Sequence, residues 1–177
     1  VVAGEYKAEY LERAVEALLV AGIGDALDVV EAEWAATDAV TLPEPVNWDR
    51  GYRTWMLDLP STSYPYILTI FVNRTPGKIA GLKMQDAEYA GAISIFVVAD
   101  TEAEVAKIAH RYAQAMISIL QSNQVVEGCR QRDWKPEVTI LADNATHQKA
   151  GVSGDMYNAG DVDYIRLVEI GLVMTEL

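Results

Sequence analysis

The chain has 177 residues, 51% of them hydrophobic and 23% charged, proportions that suit one globular domain spanning 1–177. Acids outnumber bases 26 to 14, for a formal charge of −12, which excludes a surface built to coat nucleic acid. One cysteine, Cys129, excludes an internal disulfide framework, and no run reaches the ~20 apolar residues of a membrane helix.

The N-terminus places Glu5, Glu9 and Glu12 where an export signal is basic, so no secretion is expected; Val1 leaves open whether an initiator Met preceded it. Residues 1–50 hold eleven acids against Lys7, Arg13 and Arg50, and their spacing reads as a solvated helix face. Within the helical segment 5–36, Tyr6, Tyr10, Leu11, Ala14, Val15, Leu18 and Leu19 recur at helical period. Gly22 and Gly24 then predict a break, and Asp25 a cap for a second helix through Ala35. The stretch TLPEPVNWD (41–49) predicts an extended connector, because Pro43 and Pro45 forbid regular helix.

Strands are predicted at 52–59 (YRTWMLDL) and 66–73 (YILTIFVN), spaced as an antiparallel pair. A long irregular segment follows over 74–90. The run 92–99 (AISIFVVA), apolar on both faces, predicts a central strand. Thr101 and Glu104 then form a capping box opening a helix over 101–121, with Val105, Ile108, Ala109, Tyr112, Met116, Ile119 and Leu120 in one apolar stripe. A strand is predicted at 136–142. A second irregular segment, 142–162, separates it from a last strand over 162–176. At some fourteen residues that strand exceeds the usual ~5–6, which predicts that part of it pairs outside the domain's own core. The sum is an α+β fold: a mostly antiparallel sheet of four to five strands, with the long helix and the N-terminal helices on one face.

No constellation for catalysis is found, and the chain is not expected to be an enzyme, to carry a cofactor or to bind a metal. His110 reads as a helical surface residue, and His147 has no ligand at metal spacing. Asp155, Asp161 and Asp163 lack the calcium-loop pattern. Phosphate-binding glycine loops and the G-x-S-x-G nucleophile turn are missing. The sequons at Asn73 and Asn144 read as chance, and Arg130, Arg132, Trp134 and Lys135 as a surface loop.

Three stretches carry a resemblance: LPEPVNW at 42–48; YPYILTIFV at 64–72, a strand entered through proline; and AISIFVVADTEAEVAKIAHRYAQAMISIL at 92–120, a strand running into a helix with an Arg-Tyr-x-x-Ala core. With the closing IRLVEIGLVMTE, this layout resembles the tail-terminator (tail-completion) proteins of long-tailed bacteriophages and, more loosely, their neck proteins. The resemblance implies a structural virion subunit in the tail or neck, assembled in the host bacterial cytoplasm. It implies a homo-oligomeric ring, commonly a hexamer, that caps the tail tube, meets the head–tail connector or neck proteins, passes DNA through its lumen without specific binding and touches no membrane. The alternatives are a neck or head-completion protein at the portal side, or a cytoplasmic ligand-binding domain. On the ring reading, Lys78, Lys83, Met84 and Tyr89 in the first irregular segment, Lys149, Met156 and Tyr157 in the second, and Leu172 and Met174 in the last strand are the expected contacts with neighbouring subunits or the tube.

Overall fold

The structure, a computed structural model, describes residues 8–51, 61–75, 79–80, 83–84, 87–131, 137–141, 146–148 and 162–176. Side chains are described throughout these except at 61, 72–75, 79–80, 83–84, 137, 139–141, 146–148 and 162–163. The chain opens with helix α1 (Ala8–Trp34) and strand β1 (Asn47–Arg50). Strand β2 (Tyr66–Thr75), the short strands β3 (Ile79–Ala80) and β4 (Lys83–Met84), and strand β5 (Glu88–Ala99) follow. Helix α2 (Glu102–Ser122) leads to β6 (Val125–Val126), β7 (Cys129–Gln131), β8 (Glu137–Leu141), β9 (Thr146–Gln148) and β10 (Val162–Glu176).

The fold is α+β, with a sheet larger than its sequence suggests. Eight strands are hydrogen-bonded in the order β1-β2-β5-β10-β7-β6, and β8 and β9 also pair with β10. All of these pairings are antiparallel except β1 with β2, where Asn47–Arg50 run parallel to Tyr66–Thr69. The predicted connector therefore ends in an edge strand. The strand expected at 52–59 lies outside the described residues.

One face of the sheet carries the core. Ile67 and Phe71 of β2, Tyr89, Ile93, Ile95 and Val97 of β5, and Val168, Ile170, Leu172 and Met174 of β10 are buried with the apolar stripes of both helices. The registers line these side chains up in rows, such as Ile67–Ile95–Val168, as period-2 alternation demands. The opposite face is apolar at one end, where Tyr64, Tyr66, Leu68 and Ile165 pack with Phe96 and Val98. Both faces of β5 are thus used, as its sequence predicts.

Gly91 has a steric role in this sheet. A Cβ there would stand 2.4 Å from the Ile70 carbonyl oxygen and 2.5 Å from the Phe71 ring, its cross-strand partner. Next to it the register shifts between Phe71 and Asn73, so β2 bulges. The Phe71 N–H donates to Glu12 Oε1 of α1 at 2.9 Å, tying the helix to the bulge.

α1 is one helix of 27 residues, not the predicted pair. Gly22 does not end it: a Cβ there would meet the Ile119 side chain of α2 at 3.5 Å, so the glycine lies at the helix–helix contact. Packing along the whole length offsets the ~1 kcal/mol a helical glycine costs. α2 matches its prediction within a residue. Thr101 sits in extended backbone and its hydroxyl accepts the Glu104 N–H at 3.2 Å. At the other end the Gln131 amide donates to the carbonyls of Leu120 and Asn123 at 3.1 and 3.3 Å.

β10 corrects the reading of its length. It does not extend past the domain's own sheet: β5 covers one edge over Tyr164–Thr175, and β9, β8 and β7 cover the other in turn. A single long strand thus serves three short ones. The irregular segments also contain structure, since β3, β4 and the start of β5 fall within 74–90, and β9 within 142–162.

Candidate functional site

The nine residues expected to contact partners divide into three groups. Tyr89, Leu172 and Met174 are wrong as contacts. Tyr89 and Met174 are opposite each other in the β5–β10 register, both 0% exposed, and Leu172 is buried beside them. They hold the sheet to the helices and are out of reach of another molecule in the folded subunit. Lys83 and Met84 form β4, which pairs with β3 through Ile79↔Met84 and Ala80↔Lys83. Lys78, Lys149, Met156 and Tyr157 lie outside the described residues.

A cluster that pattern reading missed fastens the proline connector onto α2. The Arg111 guanidinium is buried, donates to the Asp38 carbonyl oxygen, lies 3.4 Å from Asp38 Oδ2 and sits 5.2 Å over the Trp34 ring. Lys107 Nζ donates to Asp38 Oδ1 at 2.7 Å. That hydrogen bond chiefly holds the Asp38 carboxyl below its ordinary 3.8; partial desolvation opposes it, and the charges of Lys107 and Arg111 assist. One helix residue on, the Tyr112 hydroxyl donates to the Pro43 carbonyl, and the Leu42 N–H donates to Glu31 Oε1 of α1. Burial, then the charges of Glu44 and Glu31, push the Tyr112 phenol well above its ordinary 10.0. The Arg-Tyr of the helix and the LPEP of the connector, two separate marks in the sequence, are one device in space. Tyr112 belongs to the apolar stripe of the helix, but Arg111 falls by spacing among its polar positions with Lys107 and Gln114, and its burial against the connector corrects that expectation.

The acids of the first fifty residues do not form one solvated face. Glu12 and Glu31 accept backbone N–H groups, and Glu16 lies 3.0 Å from Arg50 Nε. Asp25 and Asp28 are exposed, and among the described residues neither has a cation at ion-pair distance. Around them α1 shows apolar side chains to solvent, with Val20 51% and Val29 67% exposed. A groove of about 380 Å³ runs between the two helices, lined by Leu18, Ala21, Asp25, Val29, Ile119 and Asn123 among others. Two further grooves, of about 460 and 450 Å³, lie beside Asp28 and Glu31, and beside His110, Ile117 and Val138.

Among the described residues no three His, Cys, Asp or Glu side chains stand together as metal ligands. His110 is exposed and Cys129 is buried in the core. No described helix is long and apolar enough to cross a membrane. Comparison of the chain with protein-family models and with curated proteins finds no match.

Proposed function

We propose that the chain is a structural virion subunit of a long-tailed bacteriophage, forming a ring that terminates the tail tube and joins it to the head connector. The observation that carries the reading is the clamp of Arg111 and Tyr112 on the 38–43 connector. It joins two of the three stretches on which the resemblance rests, so they form one structural unit. The α+β layout, with both helices on one face, agrees with the expected architecture. On this reading the subunit's work is assembly: it presents surfaces to copies of itself, to the tube and to the connector, and DNA passes through the lumen without being held.

The test is native mass spectrometry of the purified protein, alone and after elution from tail tubes. A closed oligomer of one size, six by expectation, supports the reading. A monomer in both conditions, or an open ladder of sizes, contradicts it. A ring that binds the portal-side connector in preference to the tube would make the chain a neck protein instead.

A further inference from the structure

The outer side of α1 is as regular as its buried side. The buried ridge runs at four-residue intervals through Leu11, Val15, Leu19, Ile23 and Leu27. The opposite ridge has the same interval and runs through Glu9, Arg13, Ala17, Ala21, Asp25 and Val29, and each of these is exposed. Val29 is 67% exposed, and beside the ridge stand Tyr10 and Val20, 59% and 51% exposed. α1 is thus apolar on two sides, and an apolar helix face is stable when another element covers it. Ala17 and Ala21 fall in the middle of the ridge, where their size lets a second helix come close.

The charges on this ridge select the occupant and its register. Among the described residues Asp25 and Asp28 have no cation at ion-pair distance. Arg13 meets Glu9 at 2.5 Å, but both side chains are largely exposed, 60% and 68%, and so exposed a pair holds its members weakly. Two α1 helices laid antiparallel, with a two-fold axis at the level of Leu19, bring Arg13 of each copy to Asp25 of the other. The same register sets Ala17 against Ala21 and Tyr10 level with Asp28. A slip of one turn sets Glu9 against Asp25 in one direction and against Glu33 in the other, and a parallel pairing sets Asp25 against Asp25. Each of those alternatives opposes like charges, which is costly at an interface.

We propose that α1 binds α1 of a second copy, antiparallel and two-fold, with Arg13 of each copy on Asp25 of the other and Ala17 on Ala21. The symmetry makes the Arg–Asp contact twice, at points about 18 Å apart along the helix axis. Apolar side chains supply the buried area between them, and the charges supply register and orientation. The contact goes beyond the ring reading: it is isologous and pairs two copies, whereas a ring is built from head-to-tail surfaces.

Two experiments on the full chain decide it. In the first, Ala17→Cys copies are mixed with Ala21→Cys copies under mild oxidation; Cys129 is buried and takes no part. The mixed disulfide is expected to form faster than either variant forms one with Glu169→Cys, whose side chain is exposed on the face of the sheet away from the helices. In the second, sedimentation velocity follows self-association of Arg13→Glu and of Asp25→Arg. Each is expected to weaken it about tenfold, and the two combined in one chain to restore it. Circular dichroism checks that each variant is folded. A mixed disulfide no faster than the control, undiminished association of both single variants, or a wild type that stays monomeric would overturn the contact. Rings on tail tubes alongside any of these results would leave the ring reading standing. Copies that pair through α1 yet never bind tubes would support this contact and overturn the ring reading.

Discussion

Glycine in this chain means different things at different positions, and two substitutions separate the meanings. At Gly91 the space is occupied by the Phe71 ring and the Ile70 carbonyl. Gly91→Ala is therefore expected to lower stability by about 1–3 kcal/mol, as overpacking does. At Gly22 a Cβ finds ordinary contact with Ile119 at 3.5 Å. Gly22→Ala is expected to raise stability by roughly 0.5–1 kcal/mol, because alanine loses less backbone entropy in a helix. Urea denaturation of both variants checks the pair, and equal effects would contradict it. Tyr112 gives a pH test. Its phenol is pushed above 10.0 in the folded chain, so the neutral form is favoured there and its contribution is complete below pH 10.0. That stability is lost as pH rises past 10.0, where the unfolded chain releases the proton first. Tyr112→Phe removes the hydrogen bond to Pro43, costing about 1 kcal/mol at neutral pH, and should flatten the alkaline limb of the stability curve.

Elements with a strong local signal were legible, and those decided by distant partners were not. α2 was readable because its cap, Thr101 with Glu104, and its stripe are encoded within twenty-odd residues. β5 was readable because a strand with neighbours on both sides needs apolar side chains on both faces. The sequence predicts a break in α1 because Gly22 and Gly24 are weak helix formers, and nothing nearby in sequence shows that Ile119 packs against Gly22. The length of β10 exceeds a typical strand and so predicts pairing outside the core, whereas β7, β8 and β9, which consume that length, are too short to have strong patterns of their own. The errors at Leu172 and Met174 follow from that reading of β10, since alternation marks them as one face without saying which face; the error at Tyr89 follows from reading 74–90 as irregular, where β5 in fact begins at Glu88. The connector clamp was half legible: the proline connector and the Arg-Tyr pair both stood out, but not that they touch.

At the scale of the molecule, the subunit combines a closed interior with an uneven exterior. The sheet and helices bury one continuous core, and Arg111 and Arg166 are each brought to a carboxylate at its margin. Outside, α1 offers Val20, Val29, Asp25 and Asp28 to whatever approaches. The central claim, that the chain is a ring-forming tail component, has a more direct test. Purified protein is added to tail tubes and the tube ends are imaged by electron microscopy. The account predicts a ring of closed symmetry seated on one end of each tube. Tube ends indistinguishable from those without the protein, at concentrations well above any plausible assembly threshold, would contradict it.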